Sequence, residues 1–210
     1  MKDVSREAWQ ALYSKHGMQY GGTGDLSMLK SVMARGMLVL DAGCGDGKTT
    51  EILAREAEVV GCDFSKEALV SLRVQRDPEG IVNLVECELD GLPFHSEKFD
   101  AISCVHALSH MVMGARHVAA RELARVLKNG GHLFAEVFGS GDLRSGVGRE
   151  VEPGSFLRGN GIMTHYFVEG ELGRLFESLD IVAETRSSGI VTYGAVTGRR
   201  ETIRVLFRKL

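Results

Sequence analysis

The chain is short of several features that would point elsewhere, and each shortage narrows what it can be. Neither sign of charge dominates: 25 Lys and Arg stand against 28 Asp and Glu, for a formal net charge of -3. A chain without a basic field has no general grip on a phosphate backbone, so tight non-specific nucleic-acid binding is not implied; a local basic patch stays open. The four cysteines, Cys44, Cys62, Cys87 and Cys104, show no CxxC spacing. That disfavours a zinc site and a disulfide framework alike, and free thiols in a reducing cytoplasm fit best; no metal is expected. No apolar run approaches a membrane span, and residues 1–17 carry Lys2, Asp3, Arg6 and Glu7 instead of an apolar leader. A cytoplasmic protein with no membrane partner is therefore expected. Repeats and low-complexity tracts are missing too.

What is present is one good core's worth of chain: 210 residues, 44% of them hydrophobic. One domain is expected, divided into an N-terminal helical cap (1–35), a ligand-binding core (36–138) and a closing part (139–210) with a loop, a helix and two strands. Within the core, Leu38-Val39-Leu40-Asp41-Ala42-Gly43-Cys44-Gly45-Asp46-Gly47-Lys48-Thr49 reads as a strand that ends in a glycine turn and opens a helix. Alternate glycines reach backbone angles closed to other residues and let a ligand approach the main chain, while helix-start amides attract negative charge. The third glycine, Gly47, does not fit the dinucleotide GxGxxG spacing, which requires one where Lys48 stands. A nicotinamide cofactor is thereby disfavoured.

Strand and helix signals alternate on both sides of this turn. A helical stripe of Val4, Ala8, Trp9, Leu12 and Tyr13 ends at Gly17, and a second helix is expected from Asp25 to about Ala34. Helix from Lys48 to Glu56, strand from Glu58 to Cys62, helix from Ser65 to Arg76 and strand from Ile81 to Val85 follow. Phe99 to Val105 reads as a fourth strand, and Ala120, Leu123, Ala124 and Leu127 mark a helix that turns out at Lys128-Asn129-Gly130-Gly131. The next strand runs from His132 to Phe138. Gly139 to Met163 shows neither periodicity and reads as a loop; a helix from Glu169 to Ser178 and strands at Ile181–Ile190 and Glu201–Lys209 close the chain.

Asp41-Ala42-Gly43-Cys44-Gly45-Asp46-Gly47, followed by Val59-Val60-Gly61-Cys62-Asp63-Phe64-Ser65, resembles the first two motifs of the class I S-adenosylmethionine-dependent methyltransferases. Leu92-Pro93-Phe94 before Phe99-Asp100, and Arg125-Val126-Leu127-Lys128-Asn129-Gly130-Gly131, extend the likeness over residues 36–138, with Asn129 where the family commonly has proline. The chain is most similar to the small-molecule "type 11" group, and His165-Tyr166-Phe167 resembles the tellurite-resistance methyltransferases. The resemblance implies an α/β fold of three layers, Rossmann-like, whose seven-stranded sheet is mostly parallel with the last strand antiparallel.

The same resemblance assigns roles to residues. The turn amides of Gly43, Cys44, Gly45 and Gly47 would face the methionyl end of S-adenosylmethionine, with Asp41 answering its ammonium. Asp63 would accept the ribose hydroxyls, Phe64 would lie against adenine, Glu88 and the Leu89 amide would meet the adenine edge, and Cys104 would border the cofactor. Tyr20 would fold over it. Plainer readings stand beside these: Asp41 accepting turn amides, Asp63 capping the next helix, Glu88 a solvated acid, Tyr20 an anchoring side chain. Methyl transfer needs mainly placement, and a base only for protonated nucleophiles. His106, His110, His165, Tyr166 and Tyr193 are candidates; His165 with Tyr166, then His106, are the first choices, each with a structural alternative.

Arg144, Arg149 and Arg158 in the long loop can meet an anionic acceptor, but Asp142, Glu150 and Glu152 nearly balance them, and a solvated loop reads better. The expected activity is methyl transfer to O, N or S of a small molecule by a monomer or weak homodimer. A tRNA or protein acceptor is the alternative within the fold, since Arg199, Arg200, Arg204 and Arg208 cluster near the C-terminus. A nicotinamide-dependent oxidoreductase and a non-catalytic cofactor-binding module are the alternatives outside it.

Overall fold

A computed structural model describes residues 2–16, 25–193 and 196–210. Its centre is a seven-stranded sheet built from β1 (Leu38–Ala42), β2 (Glu58–Asp63), β3 (Asn83–Glu86), β4 (Phe99–Val105), β5 (Leu127–Phe138), β9 (Asp180–Tyr193) and β10 (Val196–Arg208). They lie in the order β3-β2-β1-β4-β5-β10-β9. Pairings among β1 to β5 are parallel, and β10 runs antiparallel to both β5 and β9. The expected sheet, with its antiparallel last strand, is the one observed.

Strand alternation sorts the side chains into two cores. Leu40, Ile102, Leu133, Val137, Ile203 and Phe207 pack on one face with Ala119, Ala120 and Leu123 of α5 (Met113–Val126) and Leu172 of α6 (Glu171–Leu175). Val39, Val59, Ala101, Phe134 and Leu206 point the other way, to Leu29 of α2 (Ser27–Lys30) and Leu53 of α3 (Thr50–Leu53). Burial on both faces explains why these strands are near-continuous apolar runs. On β10 the intervening charges are used: Arg204 pairs with Glu136 of β5 and with Asp25.

Several elements differ from the sequence expectation. The helices at Asp25–Ala34, Lys48–Glu56 and Glu169–Ser178 shorten to α2, α3 and α6, one to one and a half turns each. Lys128–Gly131 belongs to β5 as a bulge, because the register jumps from Phe99 opposite Leu127 to Ala101 opposite His132. Gly130 has φ +78 there, and a Cβ on Gly131 would come within 2.8 Å of the Asp100 carbonyl oxygen, so both positions require glycine. The supposed loop at Gly139–Met163 contains β6 (Arg149–Glu152) and β7 (Ser155–Leu157), which with β8 (Met163–His165) make a second, antiparallel sheet. Strands of three or four residues are too short for a period of two to register.

Two helices carry the site on one flank. α4 (Lys66–Gln75) starts where Ser65 accepts the Ala68 amide at 3.2 Å, as expected, and α1 (Lys2–His16) packs on it through Trp9, Tyr13 and Ala68. After α4, the buried Asp77 carboxylate accepts the amides of Ile81 at 2.9 Å and Val82 at 3.1 Å and pairs with Arg73, which leads the chain into β3. Asp77→Ala leaves those amides and the guanidinium without their acceptor, and should cost about 2–3 kcal/mol of unfolding free energy in urea melts. A loss under about 0.5 kcal/mol would mean that water replaces the carboxylate.

Candidate active site

The glycine turn leaves β1 and is tied at once to β2, since the Gly43 and Cys44 amides both donate to the Cys62 carbonyl at 2.8 and 2.9 Å. Gly43, Gly45 and Gly47 have φ of +74, +53 and +88, the left-handed region in which a side chain is strained. Their surroundings separate them. A Cβ at Gly43 would lie 2.4 Å from that of Ala107 and one at Gly47 2.5 Å from Leu72 Cγ, whereas one at Gly45 would meet the Tyr13 hydroxyl at 2.7 Å on the wall of a cavity. Two of the glycines serve packing and one serves close approach.

The expectation that the turn amides as a set face a ligand is revised. Gly45 donates to Asp63 Oδ2 at 2.9 Å and Gly47 to the Cys44 carbonyl at 3.0 Å, so with Gly43 and Cys44 all four named amides bond within the protein. Gly43, Cys44 and Gly45 still line the cavity; Gly47 does not.

Asp41 ends up beneath the turn, off the cavity wall, where its Oδ2 accepts the Thr50 hydroxyl of α3 at 2.6 Å. The bond it makes is to the start of α3 and not to an amide of the glycine turn. Asp63 does line the cavity, and its Oδ1 accepts the Ser65 amide at 2.9 Å, which is the helix-start role. Its carboxylate still has acceptor sites for a hydroxyl. Burial pushes both acids up to about 6.

Glu88, after β3, pairs with Arg6 of α1, and the Arg6 guanidinium lies 5.4 Å above the Phe64 ring. Leu89 lines the same region. Arg6, Trp9 and Tyr13 therefore cover this end of the cavity, with Trp9 and Tyr13 stacked at 5.9 Å. The sequence stripe that contains Trp9 and Tyr13 reads as an ordinary core face; what it covers emerges only when α1 is docked. Tyr20, given the covering role from sequence, lies outside the described residues, as does the Tyr193 side chain.

At the other end, β4 stops at His106, a non-glycine residue with φ +61. Such a backbone is held against its preference, and functional sites are where it recurs. The imidazole stacks on Phe138 at 4.1 Å, its Nε2 lies 3.2 Å from Glu136 Oε1, and its Nδ1 is buried with no hydrogen-bond partner among the described residues. Burial raises the Glu136 carboxyl, but His106 and Arg204 outweigh it and hold the group below the usual range. His110 also lines the cavity, with Nδ1 on the Met163 carbonyl at 2.9 Å, and burial lowers it to about 3, so it stays neutral.

His165 and Tyr166 are not on the cavity wall, which revises their reading as the first choices for the base. His165 is buried between the Ser155 hydroxyl at 2.8 Å and Glu171 Oε1 at 2.7 Å, joining β7 and β8 to α6. Both ring nitrogens are taken. Tyr166 is 2% exposed and packs near Phe138 and Phe156. Cys104 is fully buried off the wall, and burial pushes its thiol up to about 12.

The cavity encloses about 530 Å³ and runs from Asp63 and Glu88 past the glycine turn to His106, Met163, Arg144, Arg158 and Arg200. That is within the span of small-ligand sites. Of the C-terminal arginines, Arg200 turns inward to Asp142 at 2.7 Å and Arg204 to Glu136 at 2.6 Å, so these two do not add to an outer phosphate-binding face. Among the described residues no helix is long and apolar enough to cross a membrane.

A glycine turn that admits a ligand to the main chain, beside acids at the ends of two neighbouring strands, suits a nucleoside with a charged tail. A methyltransferase-domain family matches residues 40–135. The chain is 32% identical over 168 residues to the methyltransferase GfsG of Streptomyces halstedii, covering 75% of this chain and 60% of that protein. It is 30% identical over 151 residues to tRNA N(3)-cytidine methyltransferase METTL2 of Mus musculus, covering 66% of this chain and 39% of that protein. A solved SAM-dependent methyltransferase from Anabaena variabilis shares the fold with a TM-score of 0.76 at 13% identity, covering 99% of this chain and 94% of that one. Residues 40–135 match a methyltransferase domain, and the chain has the fold of the class I S-adenosylmethionine-dependent methyltransferases. It spans less than two thirds of the length of those two curated relatives.

The two buried acids set a pH dependence. Folded values near 6 against an ordinary 3.8 mean that the native chain binds protons more tightly than the unfolded one, so their contribution falls as pH rises from about 4 through 6. Asp41→Asn keeps an acceptor for Thr50 and removes one titration. In urea melts of the cofactor-free protein it should therefore gain stability relative to the parent between pH 4 and pH 7. A difference that stays flat across that range would show that Asp41 ionises freely in the fold.

Proposed function

We propose that the protein transfers the methyl group of S-adenosylmethionine to an O, N or S atom of a small molecule, with His106 as general base. The observation that carries the small-molecule reading is the enclosure: Trp9 and Tyr13 of α1 line the cavity and pack with Ile162 of the 139–165 insert, so the two pieces close over it together. The inward pairing of Arg200 and Arg204 supports it over a tRNA acceptor. Of the two curated relatives, one is named a tRNA methyltransferase and the other simply a methyltransferase, so their names leave both acceptor classes in play.

Bound S-adenosylmethionine supplies a methyl group already activated by its sulfonium charge. The residues of the chain hold, orient and dry the site. Asp63 offers its remaining acceptor sites to the ribose, Phe64 and Leu89 give adenine an apolar bed, and Gly45 admits the cofactor to the backbone. Glu88 turns from Arg6 to the adenine edge, and Asp41 acts from below through its charge on the ammonium side. Asp63 and Asp41 are more fully charged above pH 6, so cofactor affinity rises with pH through that range.

At the acceptor end, Glu136 accepts from Nε2–H of His106, which leaves Nδ1 as the lone-pair nitrogen. Among the described residues Nδ1 has no hydrogen-bond partner, and an acceptor hydroxyl or amine drawn against it by a small turn of the ring would both satisfy it and lose its proton to it. His165 is a positioning residue that fastens the insert to α6.

Isothermal titration with S-adenosylhomocysteine and NAD tests the cofactor reading, and transfer of labelled methyl from the cofactor into an RNase-treated, size-fractionated extract tests the acceptor class. Saturable binding of the first ligand alone and label in the small-molecule fraction are expected; label confined to RNase-sensitive material would overturn the acceptor. Against that acceptor fraction, His106→Asn should lower turnover by about 10²–10⁴ with cofactor affinity nearly unchanged. His165→Ala should instead lose about 2 kcal/mol of stability and keep most turnover at a temperature where it is folded. The reverse pattern would return the catalytic role to His165.

A further inference from the structure

The cavity is bipolar, with the acids Asp63 and Glu88 toward one end and three arginines at the other. Strand order places β2 and β3, which lead to Asp63 and Glu88, on one side of β1, and β5 and β10 on the other. Arg144, Arg158 and Arg200 line that second flank, from three separate segments: the turn after β5, the hairpin between β7 and β8, and β10. We propose that this end is an oxyanion subsite, in which Arg158, Arg144 and Arg200 hold a carboxylate or phosphate carried by the methyl acceptor. The proposal rests on the methyl-transfer reading and names the chemical class of its substrate.

The three guanidiniums are held in place before any ligand arrives. Arg200 sits 4.8 Å and Arg144 5.8 Å from the centre of the Phe138 ring, the same ring on which His106 stacks. Asp142, fully shielded from solvent, forms an ion pair with Arg200, its carboxylate 2.7 Å from Nε, and lies 3.8 Å from the Arg144 Nε. It is not on the cavity wall, so it orients two of the three cations from behind. Arg158 is presented by a tight turn: its amide donates to the Ile162 carbonyl at 3.2 Å and its carbonyl accepts the Gly161 amide at 2.9 Å. Their field reaches the neighbouring rings, since the charges of Arg158 and Arg144 add to burial in keeping His110 neutral and oppose it at Tyr166. Met111, Val112 and Met163 make the walls between this end and the turn largely apolar, where a guanidinium–anion bond is strengthened by the low local dielectric. A ligand that bridges from the guanidiniums to His106 is thus part apolar and anionic at one end.

The test uses the full chain saturated with S-adenosylhomocysteine, titrated with two matched pairs: benzoate against benzamide, and phenyl phosphate against phenol. Each anion with a fitting headgroup should bind at least tenfold tighter than its neutral partner, and which pair shows the larger ratio tells carboxylate from phosphate. Arg158→Gln should remove most of that ratio, and Arg144→Gln part of it, with S-adenosylhomocysteine affinity unchanged in both. Equal binding within both pairs, or a ratio that survives both substitutions, overturns the oxyanion subsite. Failure of the unaltered protein to bind S-adenosylhomocysteine would instead sink the methyl-transfer reading on which it rests.

Discussion

The carboxylate of Asp63 joins the parts of the site that sequence keeps separate. One oxygen accepts the Gly45 amide of the turn after β1, the other accepts the Ser65 amide at the start of α4. Strand β2, the glycine turn and the helix behind it are thereby locked to one buried group. Burial makes that group costly to ionise, and Asp41 on the neighbouring strand is in the same position. Holding two such acids side by side lowers the stability of the empty protein and prepares the site for a ligand rich in donors and positive charge.

Around this fixed centre, two peripheral pieces make a cavity out of an open strand edge. A parallel sheet ends in a crevice where its strand order reverses, here between β1 and β4. α1 reaches across from one side and sets Tyr13 against Gly45, while the insert reaches from the other and sets Arg158 and Met163 opposite His106. The insert has its own anchors. Buried Arg116 lies against the Phe167 ring, bonds the Met111 carbonyl and pairs with Glu152 of β6, and His165 ties β7 and β8 to α6. The enclosure thus depends on polar contacts between segments far apart in the chain, over a core that is conventional for its class.

Much of the fold is legible in the residues. β1, β2, β4 and the glycine turn announce themselves because a buried parallel strand is an unbroken apolar run and a left-handed turn demands glycine. The antiparallel closing strand, the Ser65 cap and the cavity positions of Cys44, Gly45, Asp63, Phe64, Glu88 and Leu89 follow from the same motifs. Other readings fail for identifiable reasons. Strands β6, β7 and β8 are too short for their alternation to stand out. His165-Tyr166 sits in a segment that carries suggestive residue types, yet the ring is fastened on both sides. Trp9 and Tyr13 look like any amphipathic stripe, and Arg158 looks like a solvated charge among compensating acids.

The sequence by itself determined the class of fold and the glycine-turn end of the cavity, because strand periodicity, turn conformation and helix capping are decided by residues within a few positions of one another. Only the tertiary structure decided the arginine end. His106 meets Glu136 across a parallel strand pair, Arg200 comes from the last strand, and Arg158 from a hairpin more than forty positions before it. Their convergence depends on strand order and on where the insert docks, and long-range packing of that kind leaves no periodicity or spacing in the chain to be read.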